Sequence, residues 1–386
     1  MEEKLTNNPS KYKNISVSLV FVLVIAIFTI MSWLKEDTGF SENENRVLAS
    51  KPEFTWESFF AGEYTTNYQN YVRDQFPFRN EFVSAKNYCD TILLKTEING
   101  VLICEDDYYI ESHERLDYES ELAEKNMDAI ASFSNRYVET MGQEHVSVMI
   151  VPTAQTVLTN KFKGFMYAYN QNEYIDKLKS NLPQNVFIDT YDVLSEHKNE
   201  YIYYRTDHHW TTYGAYLSYL EWARVKNYEQ YTMNDIEENV VTDEFYGTIN
   251  SKLNTNMKSD TISSYMVKDT EFELIYNMGA EVKNTFFFEE YIDSKDKYSY
   301  FFGGNPGLVE INSSNKNGKT LLIIKDSYAN CIAPVYASNF ETTYVIDLRY
   351  FNMIIDDFIE ENEITDILVL YNVDSFATDN YIKRIR

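Results

Sequence analysis

The chain has 386 residues and a formal net charge of −26 at pH 7. Residues 1–35 carry Lys4, Lys11, Lys13 and Lys35 against Glu2 and Glu3, so the remainder stands at −28, a surface that repels nucleic acid and other anionic polymers. The three cysteines, Cys89, Cys104 and Cys331, are too few for a disulfide framework, leave only a Cys89–Cys104 pair to consider, and have no second Cys or His at a zinc-ligand spacing.

Residues 15–34, ISVSLVFVLVIAIFTIMSWL, hold no charge. At ~1.5 Å per residue the run spans the ~30 Å core of a bilayer. Lysines precede it and an acidic stretch (Glu36, Asp37, Glu42, Glu44) follows, so residues 1–14 are expected in the cytoplasm and the rest of the chain outside. A cleaved signal peptide is the rival, but its apolar region is usually shorter and ends in small residues, unlike Met31-Ser32-Trp33-Leu34. About 350 residues follow, enough for one large domain or two modest ones.

Residues 35–97 divide into an extended juxtamembrane linker (36–56) and a helical stretch from Glu57 to about Lys95, broken at Pro77 inside YVRDQFPFRN. From 98 onward strands and helices alternate. INGVLI and DDYYI read as strands, 118–141 as an amphipathic helix, and VSVMIV (146–151) as a buried strand ended by Pro152. A helix at 172–181, a strand at 186–188 and a helix at 191–197 follow. Thr206 and Asp207 are candidate caps for a helix over 213–225. Residues 228–318 lose the helical rhythm and read as a β-rich insertion or edge extension, with strand candidates MVKDTEFELIY and NTFFFE. From Lys319 the alternation returns: TLLIIKDS as strand and turn, a helix at 329–337, a strand at 343–347, a helix at 351–361 and a strand at 366–371. This pattern predicts an α/β domain over 98–386, a parallel sheet flanked by helices.

Three polar clusters fall where such sheets place their sites, at carboxyl ends of strands or at a helix start. Asp326-Ser327 follows a strand; a serine on a strand-to-helix turn is exposed beside free backbone N–H groups that can hold an oxyanion. Asp207-His208-His209 precedes a helix, and an aspartate two residues before a histidine can orient its ring. Asn372, after ILVLY, can donate from its side chain. Each feature also has an ordinary reading: a helix cap for Asp326, a structural histidine, a loop asparagine, a salt bridge for Arg205. The His-His pair gives two ligands pointing opposite ways, too few for a metal unless Asp207 or Asp243 joins them. No metal and no cofactor is expected.

RTDHHWTTYGAY resembles the signature of the DHHW protein family and the T-D-x-H-W-T segment of the alginate O-acetyltransferases, whose catalytic domains are SGNH-hydrolase-like. The order ENR-VLA-x-x-P, VPT, TDHHWT, strand-Lys-Asp-Ser, IDLRYF and LVLYN extends the resemblance over most of 43–372. It implies an SGNH-hydrolase-like fold with Ser327 as nucleophile, His209 as general base and Asp207 as the residue orienting it. It further implies that Tyr328 lends its N–H to the oxyanion hole, with Asn372, Arg349 and His208 as oxyanion or substrate-binding candidates. Where many SGNH enzymes have Gly before Asp-Ser, this chain has Lys325, which would narrow the approach to the serine. The implied activity is O-acetyl transfer to, or acetyl-ester hydrolysis on, a cell-surface polysaccharide. A transferase outside the cell needs an acetyl donor, and the resemblance implies a multi-pass membrane acyltransferase as that partner. The competing class is a non-catalytic glycan-binding or accessory protein of such a system.

Overall fold

Seven strands form the large sheet: β1 (Val146–Val151), β2 (Phe272–Tyr276), β3 (Glu281–Lys283), β4 (Leu308–Ser313), β5 (Thr320–Lys325), β6 (Thr342–Ile346) and β7 (Asp366–Asn372). Their spatial order in this computed structural model, which describes residues 9–41, 46–255 and 257–385, is β3-β2-β4-β6-β5-β7-β1. β6, β5, β7 and β1 run parallel, while β4, β2 and β3 join antiparallel. The sheet is mixed, so the expectation of a parallel sheet needs correcting at one edge. The burial explains the difference. Every residue of β1 and β7 is buried, as strands covered on both faces require; β2 alternates buried with more exposed positions, as an antiparallel strand with one wet face does.

Alternation along the parallel strands feeds two cores. Met149, Val151, Leu321, Ile323, Leu368 and Leu370 pack on one face with Trp210, Trp222 and Tyr336. Val148, Ile150, Leu322, Ile324, Ile367 and Val369 pack on the other with Phe133, Leu178 and Phe376.

The helix over 118–141 begins at Glu121, capped by Ser120, and the helix over 213–225 is Thr212–Lys226, capped by Thr211 in place of Thr206 or Asp207. The strand expected at 186–188 reduces to a bridge between Phe187 and Val148, the helix over 329–337 is a 3₁₀ turn (Ser327–Cys331) followed by Ala333–Ala337, and that over 351–361 begins only at Ile355. Residues 228–318 supply strands to two sheets. Ile236–Phe245 and Asp260–Val267 form a separate antiparallel pair, and β2, β3 and β4 widen the large sheet. MVKDTEFELIY is cut in two at Asp269, whose φ is 59°. NTFFFE is not a strand; Phe287 makes a single bridge to Phe301 while Phe286 is buried.

The chain divides into two units, Met1–Cys89 and Asp90–Arg386. The first holds α1 (Pro9–Leu34), α2 (Trp56–Phe60), α3 (Glu63–Asp74) and α4 (Arg79–Ile92), the last ending in the second unit. Lys13–Leu34 is long and apolar enough to cross a membrane and fits a single-pass anchor. α3 stops before Pro77 and α4 restarts after it. Lys4, Glu42, Glu44 and the Glu44-Asn45 part of the ENR motif lie outside the described residues. All three cysteines are free, Cys89 exposed and the other two buried, so the Cys89–Cys104 pairing is not made.

Candidate active site

β5 delivers Asp326 and Ser327 to the carboxyl edge of the sheet. Asp326 caps the 3₁₀ turn: its Oδ1 accepts the Tyr328 N–H at 2.9 Å, and its Oδ2 accepts the N–H and Nδ2 of Asn372 at 2.9 and 2.6 Å. The carboxylate therefore ties the end of β5 to the end of β7. Burial pushes its pKa up to about 6 against those donors. Ser327, the first residue of the turn, has an N–H that needs no partner within it.

The histidine comes from the loop between Tyr203 and Trp210, which bridge each other. Tyr203 donates to the Pro152 carbonyl at 2.6 Å and Trp210 Nε1 to the Tyr328 carbonyl at 2.9 Å, so the loop is pinned to the ends of β1 and β5. His209 Nε2 stands 2.7 Å from Ser327 Oγ, and its Nδ1 stands 2.5 Å from Asp207 Oδ1. The same Asp207 oxygen accepts the His209 N–H at 3.0 Å. Its Oδ2 accepts the N–H and hydroxyl of Thr248 at 2.9 and 3.1 Å. Burial lowers the His209 pKa to about 4, with His208 adding to the effect and Asp207 opposing it, so the imidazole is neutral at neutral pH. Burial works to raise Asp207, but His208, His209 and Thr248 outweigh it and hold the carboxylate well below its usual range. An ionised carboxylate, a neutral imidazole and a hydroxyl in one hydrogen-bonded line can move a proton from oxygen to nitrogen as the oxygen attacks an ester.

Four residues that complete this geometry lie in 228–318 and were not singled out in the sequence. Thr248 is one. Gly247 is the second: a Cβ there would stand 2.2 Å from Asp207 Cβ and Oδ2, so any side chain displaces the carboxylate. Asp260 is the third, a buried acceptor for the N–H groups of Arg205 and Thr206, the Thr206 hydroxyl and Tyr201. Tyr298 is the fourth; its ring stacks on His209 at 3.8 Å, and its hydroxyl donates to the Ser327 carbonyl at 3.2 Å. The aperiodic sequence there offered one usable signal, a glycine among bulky residues.

Of the other candidates, His208 lies half-exposed with Nδ1 2.7 Å from the Thr248 hydroxyl. It faces a cavity of about 320 Å³ also lined by Glu111, His113, Gln155, Asn372 and Asp374. Four expectations need correcting. The Tyr328 N–H is engaged by Asp326, because a capping aspartate takes the N–H two residues on, so it is not free for an oxyanion. Asn372 turns its Nδ2 to Asp326 and to Ser375 Oγ, where it braces the turn. Lys325 is buried with Nζ 3.0 Å from Asn305 Oδ1 and 3.7 Å from Asp347, and burial lowers it to about 8. Arg349 grips Asp347 through Nε and Nη2 at 2.9 and 2.6 Å, closing a buried charge cluster and not lining the cavity.

Asp207, His208 and His209 also offer ligand atoms within 4.8 Å of one another. Both His209 nitrogens and His208 Nδ1 are already in hydrogen bonds, so a cation there would have to displace one of these contacts.

Three comparisons bear on this arrangement. Among solved structures, the chain is similar to a DHHW family protein from Eubacterium siraeum, with 28% identity and a TM-score of 0.62 over 75% of this chain and 95% of that one. It is also similar to Bacillus cereus PatB1, at 19% identity and a TM-score of 0.60 over 74% of this chain and 99% of that one, and to the same protein solved with a sulfonyl adduct, at 20% and 0.58. Comparison by sequence with curated proteins returns no match. The family model described as DHHW protein matches residues 106–346, more than half the chain and the whole stretch from the Asp207 loop to Ser327, and the chain belongs to the DHHW family.

Proposed function

We propose that the chain is an envelope O-acetyltransferase or acetylesterase of SGNH-hydrolase-like fold, held by residues 15–34 with its catalytic domain outside the cell. The observation that carries this reading is the unbroken line Asp207–His209–Ser327, with contacts of 2.5 and 2.7 Å.

Ser327 Oγ attacks an acetyl carbonyl as its proton passes to His209 Nε2. Asp207 holds the imidazolium, and the N–H of Ser327 faces the developing oxyanion. The bond to the donor oxygen breaks as Nε2 returns the proton to it, leaving acetyl-serine. A sugar hydroxyl, or water, then attacks the acetyl carbon while giving its proton to Nε2. The tetrahedral species collapses, and the proton passes back to Ser327 Oγ. A surface polysaccharide is the acceptor this reading favours, and a multi-pass membrane acyltransferase the donor side. The sulfonyl adduct on PatB1 supports the choice of a sulfonyl reagent as probe.

The test uses the full chain in detergent or vesicles with an aryl acetate. Acetyl or sulfonyl mass is expected on the peptide holding Ser327, absent from Ser327→Ala, together with acetate release that the variant loses. Undiminished acetate release by Ser327→Ala would reject the nucleophile.

A further inference from the structure

The first unit places a second part of the chain against α1. Phe28 of α1 stacks on Phe76 at 5.4 Å and meets Phe82 at 5.9 Å, and Phe76 and Phe82 meet each other at 6.1 Å. Phe28 lies six residues before Leu34, about 9 Å along the helix at ~1.5 Å per residue. The turn between α3 and α4 thus reaches below the end of the apolar run. Above it lies a polar collar. Gln75 exchanges hydrogen bonds with the Thr38 backbone at 2.9 Å, Ala49 N–H reaches Asp74 at 3.0 Å, and Tyr71 reaches Asp37 at 3.0 Å.

The turn's apolar side chains do not close into a core. Phe78 and Phe82 are 53% and 51% exposed, and Phe78 is held at a φ of 58°, a region bulky residues rarely adopt. A groove of about 770 Å³ runs beside them, lined by Val72, Phe76, Phe82 and Val83 and rimmed by Arg73, Arg79 and Lys86. In water this surface costs free energy. Beside a membrane helix it meets acyl chains, and its cations meet lipid phosphates: long basic side chains bury their stems and keep their charge at the headgroups.

We propose that the turn Phe76–Arg79, with Phe82, sits in the outer leaflet next to α1, its apolar groove occupied by phospholipid. This rests on the reading of residues 15–34 as an anchor. The depth of about 9 Å is that of an interfacial segment, which enters the headgroup and acyl boundary by roughly 5–10 Å.

The test reconstitutes the full chain into vesicles of phosphatidylcholine and phosphatidylglycerol. Nitroxide labels are placed by Phe78→Cys or Phe82→Cys in a Cys89→Ser background, where the remaining thiols, Cys104 and Cys331, are buried. The readout is the ratio of collisions with oxygen, which enters lipid, to collisions with a water-soluble nickel chelate. Val22→Cys is the lipid reference, and Phe165→Cys, a fully exposed residue, the water reference. Positions 78 and 82 are expected to fall between positions 165 and 22, several-fold above position 165 and below position 22, as an interfacial depth requires. Phe78 touches no ring of the Phe28 cluster, so its label reports even if Phe82→Cys disturbs the turn. Ratios at 78 equal to those at 165, with 22 in lipid, would overturn the proposal and leave the anchor standing. A water-like ratio at 22 would overturn the anchor and this proposal together.

Discussion

Ser327 stands on the parallel half of the large sheet, where β5, β7 and β1 are buried runs and the serine follows its strand by two residues. His209 and Asp207 stand on a loop held from outside by Gly247, Thr248, Asp260 and Tyr298. The hydroxyl is placed by local structure: strand, capping aspartate, turn. The imidazole is placed by contacts 40 to 90 residues away in sequence, inside a stretch without periodicity. On the function proposed, a nucleophile fixed locally tolerates change around it, and a base fixed at long range is vulnerable wherever its clamp is touched, even at residues that never meet substrate.

The largest effect that separates the two halves is loss of the chemistry itself. Ser327→Ala or His209→Ala is expected to lower kcat by about 10³-fold or more, because triad members act as a unit. The melting temperature of Ser327→Ala should stay within a few degrees, since Ser327 Oγ makes a single hydrogen bond, to His209; His209→Ala should melt lower, because it leaves the buried Asp207 carboxylate without its ring partner. Steady-state acetate release with a thermal melt on each variant checks both. If His209→Ala keeps the wild-type rate, the imagined proton route is wrong.

The parallel half was the readable one. VSVMIV and TLLIIKDS are apolar runs of strand length bounded by Pro152 and by Asp-Ser, so both strands and the serine's position could be read from them. The Asp207-His208-His209 cluster was readable as chemistry too, and the resemblance to the DHHW signature singled out His209 within it. What the sequence withheld was mostly competition among partners. Whether the Tyr328 N–H faces a substrate or a neighbouring carboxylate depends on the rotamer of Asp326, which sequence does not encode. The antiparallel edge was hidden because β2 and β4 reach the sheet only after the excursion through Ile236–Val267, a fold-back that no local spacing announces.

Gly247→Ala attacks the clamp alone. Its new Cβ would meet Asp207 at 2.2 Å, and displacement of a catalytic group by an ångström costs about 10²-fold in rate. The expected outcome is that loss in kcat with Ser327 still open to a sulfonyl reagent at a reduced rate, measured by mass spectrometry. Asp260→Asn loosens the same loop one step further back. It weakens the acceptor shared by Arg205, Thr206 and Tyr201, and should lower kcat about tenfold with a loss of roughly 1–3 kcal/mol in denaturant unfolding. On the other side, Asn372→Ala removes a donor to Asp326 and the cap of the helix Val373–Thr378. It should cost about 1–2 kcal/mol in stability and change kcat by less than the clamp variants do. An Asn372→Ala variant more impaired in kcat than Gly247→Ala would reverse the contrast between the halves.

The smallest expected effect reads the clamp through acidity. Burial holds His209 near pH 4, below the 6.5 of a free imidazole. A base must be unprotonated, so the acid limb of kcat/KM should fall near pH 4, with activity lost as pH drops through it. Tyr298 covers one face of the ring at 3.8 Å. Tyr298→Ala admits water, relieves the penalty on the imidazolium, and so raises the His209 pKa toward 6.5; the acid limb moves up in pH. Tyr298→Phe keeps the ring and the burial and loses the hydroxyl's contacts with the Ser327 carbonyl and Cys331, so its limb should stay where the wild type's is. A pH–rate profile of the three proteins separates these outcomes. Equal limbs in wild type and Tyr298→Ala would mean that the insertion positions the histidine without setting its acidity, confining the clamp's role to geometry.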